Sequence, residues 1–70
     1  MITLEQIKIK LQEALKCSGL SQSDIARKIG VRPQTVFEYL NGKIMPALDT
    51  FANLCKVLDL DPAEILCLND

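Results

Sequence analysis

Seventy residues, 7.8 kDa, allow one domain over 1–70 and leave no room for a second. Hydrophobic residues make up 49% and charged residues 24%, enough apolar material for a packed core and too little charge for a disordered chain. The formal net charge of −1 gives no global sign of a nucleic-acid partner.

The only aromatic residues are Phe37, Tyr39 and Phe51, so the interior has to be built from Leu, Ile, Val and Ala, a composition that favours helices. There is no histidine, and Cys17, Cys55 and Cys67 form no C-x-x-C pair. A four-ligand zinc site would therefore need a carboxylate, which is uncommon, and neither a metal nor another cofactor is expected. Each cysteine is expected to act as a small buried apolar side chain. Lys8, Lys10 and Lys16 break up the first apolar positions, which disfavours a secretion signal or a membrane span and points to a cytoplasmic protein. The charge is unevenly spread. Residues 1–43 hold seven basic and four acidic residues, a net +3, and residues 44–70 one basic and five acidic, a net −4. An anionic partner would meet the first part.

Thr3 and Gln6 form a capping-box pattern that starts a first helix near Leu4, with Ile7, Leu11, Ala14 and Leu15 inward and Lys8, Gln12, Glu13 and Lys16 opposite. Gly19 is placed to end it. Ser21 and Asp24 form a second capping box with Leu20 and Ile25 as its hydrophobic staple; Ile25, Ala26 and Ile29 are the inner face, and Gly30 closes the helix. Arg32-Pro33 opens a third helix, because proline suits the first helical position. Val36, Tyr39 and Leu40 face inward, and Asn41-Gly42 ends it. Pro46 marks a loop before a fourth helix with Leu48, Phe51, Ala52, Cys55 and Leu58 at helical spacing, poorly capped by Ala47. Asp61-Pro62-Ala63-Glu64 combines cap, proline and capping-box acid and starts a short fifth helix carrying Ile65 and Leu66.

The informative stretch runs from Gln22 to Leu40. Two short helices crossing steeply need a small residue at the contact, supplied by Ala26, and a turn residue tolerant of positive φ, supplied by Gly30. These residues resemble the helix-turn-helix domains of the phage repressor and Cro-like transcription regulators. The resemblance rests on Leu20-Ser21-Gln22-x-x-Ile25-Ala26-x-x-Ile29-Gly30-Val31, on Thr35-Val36-x-x-Tyr39-x-Asn41-Gly42-Lys43, and on Pro46-x-Leu48-x-Thr50-Phe51 running into Leu58-x-Leu60-Asp61. It implies an all-α, compact five-helix lambda-repressor-like DNA-binding domain with helices 2 and 3 as the helix-turn-helix.

The implied recognition helix, about Pro33 to Leu40, would enter the DNA major groove. With Val36, Tyr39 and Leu40 inward, Arg32, Gln34, Thr35 and Glu38 lie on the outer or N-terminal surface and are the candidates for reading bases. Gln34 suits adenine, Thr35 a phosphate or a thymine methyl, Arg32 guanine or a phosphate, and Glu38 the cytosine amino group. Alternatively, Arg32 and Glu38 are an exposed charged pair of little consequence. Ser21 and Gln22 at the start of helix 2, and Asn41 and Lys43 after helix 3, are the candidate phosphate contacts; Asn41 also reads as a plain helix cap. Relatives often carry a basic residue at the Glu38 position and an ion pair at the Leu15 and Leu40 positions, so an apolar contact between these leucines is expected instead.

The implied partner is double-stranded DNA with a pseudo-palindromic operator, bound by a homodimer that represses transcription, since one recognition helix reads too few bases alone. The dimer contact implied by the resemblance lies around Leu60 to Glu64. The rival reading is a protein-interaction module on the same scaffold, antitoxin-like or an anti-repressor partner, favoured by Glu38 and the acidic C-terminal part. Without a nucleophile-base pair or a phosphate-cradling glycine loop, an enzyme is not expected.

Overall fold

The computed structural model describes residues 1–69. Its helices are α1 (Leu4–Lys16), α2 (Gln22–Ile29), α3 (Pro33–Leu40), α4 (Leu48–Val57) and α5 (Pro62–Ile65). Thr3 and Gln6 make both halves of the capping box: Thr3 Oγ1 accepts from the Gln6 N–H, and Gln6 Oε1 accepts from the Thr3 N–H at 2.8 Å. The other two boxes form by half. Ser21 Oγ accepts from the Asp24 N–H at 3.1 Å, but the Asp24 carboxylate turns to Arg27 one turn later in α2. Asp61 caps α5 through the Ala63 N–H, while Glu64 pairs with Lys10 of α1 at 3.3 Å. In both, a cation within reach competes successfully for the acid.

One device closes four of the five helices. A backbone N–H reaches back five residues across a single residue of left-handed conformation: Val31 to the Ala26 carbonyl over Gly30, Lys43 to Glu38 over Gly42, Leu60 to Cys55 over Asp59, and Leu68 to Ala63 over Cys67. Each such bond engages a carbonyl of the last turn and fastens the chain as it leaves the helix. The first helix ends differently and earlier than Gly19 suggests, at Lys16, with Cys17 N–H on the Glu13 carbonyl and Ser18 Oγ on the Leu15 carbonyl. Gly19, at φ 77°, turns the chain toward α2 instead.

Leu11, Leu15, Ile25, Ala26, Val36, Tyr39, Leu54, Cys55 and Ile65 form the core, with Leu40, Phe51, Leu58 and Leu60 packed against it. The helices thus meet around one centre, α2 against α3 and α4, and α1 against α3 and α5. Burying a Leu, Ile or Val side chain stabilises by about 1.5–3 kcal/mol, so the five fully covered ones (Leu11, Leu15, Ile25, Leu54, Val36) carry much of the fold. Leu15 and Leu40 join the same core in place of an ion pair.

Three sequence expectations need correction. The inner face of α4 is formed by Phe51, Leu54, Cys55 and Leu58; Ala52 is exposed, and Leu48 is 88% exposed at the uncapped first turn. Leu54 and Cys55 both turn in because α4 meets α2 on that side, which rotates the apolar stripe away from Leu48 and Ala52. Gln12 does not face solvent: it is half-buried and its Nε2 donates to the Leu40 carbonyl at 2.9 Å, tying α1 to the end of α3. Cys17 is exposed at the end of α1, whereas Cys55 and Cys67 are buried. Burial, then the charge of Asp61, push the Cys55 thiol above its ordinary range, which favours its protonated form.

Candidate nucleic-acid interface

Ala26 is 1% exposed in α2, the helix that packs against α3, so a small side chain occupies the interior there. Its carbonyl accepts from both the Gly30 and Val31 N–H groups, which pins the corner leading to α3. Gly30 sits at φ 73°, where a Cβ would meet no atom within 4 Å. Glycine is therefore used there for backbone conformation alone. Pro33 begins α3, and Arg32, its N-cap, is exposed and makes no side-chain cap bond.

With Val36 and Tyr39 buried, the opposite edge of α3 is presented outward. Arg32 and Gln34 are exposed, and Thr35 and Glu38 are half-buried. All four base-reading candidates are thus on or beside the outward edge, and none lies in the core. Tyr39 holds the inner side; burial first and the Asp49 charge second raise its phenol pKa above the ordinary value, keeping it neutral.

The phosphate candidates flank this edge. Ser21 is exposed at the start of α2, where its Oγ accepts from the Asp24 N–H; Gln22, half-buried, is the first residue of the helix. An anion at this end meets unpaired N–H groups and the positive pole of the helix. Asn41 spends its Nδ2 on the Phe37 carbonyl at 2.8 Å and so is a helix cap, with its Oδ1 left over. Lys43 is exposed just past Gly42, its backbone held by the Glu38 carbonyl.

Three features of this surface escaped the sequence reading. Arg27 and Lys28 are exposed in the last turn of α2, off the apolar inner face that marks this helix in the sequence. Phe37 is 40% exposed on the outward side of α3, one turn after Gln34. Its position could have been found, because a helix that turns Val36 and Tyr39 inward must turn residue 37 out. No group of three or more His, Cys, Asp or Glu among the described residues could hold a metal ion, and no described helix is long and apolar enough to cross a membrane.

The family model described as Helix-turn-helix (HTH_3) matches residues 9–65, a span that takes in the α2–Gly30–α3 corner and all five helices in whole or part. The chain belongs to this helix-turn-helix family. The family is one of DNA-binding domains of the Cro and C1 type. The chain is also similar to "Multiprotein-bridging factor 1c" of Arabidopsis thaliana, 38% identical over 53 residues, which cover 76% of this chain and 36% of that protein. This helix-turn-helix chain therefore spans about a third of the length of that relative. No solved structure matches the chain significantly.

Proposed function

We propose that the protein is a sequence-specific regulator of transcription that binds double-stranded DNA, α3 reading the major groove and two copies occupying the halves of a pseudo-palindromic operator. The observation that carries this reading is the outward edge of α3, where Arg32, Gln34, Thr35 and Glu38 take no part in the core while Val36 and Tyr39 anchor the helix from behind. Gln34 pairs with adenine N6 and N7, Arg32 with guanine or a phosphate, and Glu38 accepts from cytosine N4. Ser21, Gln22 and Lys43 position the helix through phosphates on either side. Two copies would occupy half-sites one helical turn, ~34 Å, apart on one face of the duplex. Occupying an operator in this way favours repression.

A second reading has its own support. The relative's name describes a factor that bridges proteins, and Leu4 and Leu48 are 62% and 88% exposed beside Met45, Pro46 and Leu66 around an apolar depression of about 200 Å³. In that reading the domain joins DNA to another protein instead of blocking access to it.

Selection of bound duplexes from a random library, followed by salt titration, tests the proposal. Enrichment of a two-fold symmetric site whose binding weakens with salt is the expected result. Gln34→Ala should relax preference at one position per half-site, whereas Lys43→Ala should weaken binding to every sequence and flatten the salt slope. Absence of binding to any duplex at low salt rejects DNA recognition; binding without sequence preference rejects base reading by α3.

A further inference from the structure

Resting on the DNA-binding reading, we infer that Phe37 is a specificity-determining residue that detects the C5-methyl group of a thymine in each half-site, beside the base pair read by Gln34. On the outward edge of α3 the exposed side chains run Gln34, Phe37, Asn41, about one helical turn apart at each step. Gln34 is polar and unobstructed; Asn41 has its amide N–H engaged with the Phe37 carbonyl at 2.8 Å. The centre of the edge is therefore an aromatic ring, 40% exposed, in place of a hydrogen-bonding group.

A ring there has few fitting partners on a duplex. Phosphates and the polar edges of bases lose solvation against it, and the apolar feature of the major groove is the thymine methyl. The spacing also fits. Three residues of helix advance ~4.5 Å, so the ring and the Gln34 amide are close enough together to reach neighbouring base pairs. Thr35 carries the other methyl group that could touch thymine, but it is half-buried and projects about 100° away from Gln34 around the helix.

The test takes the duplex selected by the intact protein and replaces its thymines one at a time by deoxyuridine, which removes only the methyl group. Affinity is read by fluorescence anisotropy at fixed salt. One position in each half-site should weaken binding by about fourfold per methyl lost. Phe37→Ala should bind the thymine and deoxyuridine duplexes equally, whereas Thr35→Ser, which loses its methyl and keeps its hydroxyl, should retain the discrimination. Circular dichroism checks that Phe37→Ala is folded; if it is not, Phe37→Gln, with better helix-forming tendency than an aromatic residue, takes its place in the comparison. Sensitivity that persists in the Phe37 variant, that vanishes in Thr35→Ser, or that is found at no thymine overturns the inference while leaving sequence-specific binding intact. A protein that selects no duplex at all overturns the DNA-binding reading, and the inference with it.

Discussion

Replacing Gly42 by alanine perturbs the exit of α3 in two separable ways, and Gly30 provides the control. Both glycines are left-handed, at φ 69° and 73°, a conformation that costs an L-residue about 1–2 kcal/mol. Alanine recovers about 0.4–1 kcal/mol by restricting the unfolded chain, so the conformational cost alone is about 1 kcal/mol at either site. At Gly30 nothing is added, since a Cβ has open space. At Gly42 the Cβ would come within 3.0 Å of Lys8 Cδ and 3.4 Å of Gln12 Nε2, the atom that donates to the Leu40 carbonyl. The tight contact is with Lys8 Cδ, and as that side chain gives way it crowds the neighbouring Gln12 amide, costing up to a hydrogen bond of about 1 kcal/mol. Gly30→Ala should therefore destabilise by about 1 kcal/mol and Gly42→Ala by about 2 kcal/mol. Urea denaturation followed by circular dichroism measures both, and in a Gln12→Ala background the excess cost at Gly42 should disappear. Equal losses at the two glycines, or an excess that survives removal of Gln12, would refute the argument that Gly42 is there to let α1 approach.

Ala26→Leu should overpack the α2–α3 contact and cost about 1–3 kcal/mol, seen as a lower midpoint of thermal unfolding; an unchanged midpoint would mean the two helices are not held apart by a single methyl group. Asp59 occupies a left-handed position at the end of α4, and Asp59→Gly should stabilise modestly, by about 0.5 kcal/mol, as relief of strain outweighs added freedom of the unfolded chain. The same denaturation measurement decides it, and a loss of stability would contradict the αL assignment there. The hydrogen bond with the Ser21 side chain holds the Asp24 carboxyl below its ordinary value of 3.8; desolvation, the next largest effect, opposes it, and the charge and hydrogen bond of Arg27 add to the lowering. Because the folded-state pKa is the lower one, this contribution is present above 3.8 and is lost as the pH falls through the folded value. Asp24→Asn should remove that part of the acid sensitivity, measurable as a smaller difference between the unfolding midpoints at pH 5 and pH 2.5.

Most of this arrangement was legible in the sequence because its signals are local. Thr3, Ser21, Pro33, Gly30 and Asp61-Pro62 each act within a few residues, and they place the helix starts and the α2–α3 corner where the structure has them. Partners distant in sequence were not legible. Glu64 and Asp24 fit capping boxes by spacing, yet each has a cation competing for its carboxylate, Lys10 from another helix and Arg27 from the next turn. Gln12 looked solvated because the Leu40 carbonyl it meets lies 28 positions along the chain. The stripe of α4 was rotated by its packing on α2, which spacing alone does not reveal, so Leu48 was placed inside and Leu54 was overlooked. For the candidate interface the same division holds: turning Val36 and Tyr39 inward was enough to expose Arg32 and Gln34, while the apolar Phe37 among them gave no polar pattern to notice.

The left-handed corners at Gly30 and Gly42 bracket α3 on both sides, so eight residues too short to be stable alone are gripped by their ends and by one buried face. The exposed side chains between those grips carry little of the folding. A chain built this way can change Arg32 and Gln34 with little effect on its melting temperature, much as a printing block accepts new type without being recast.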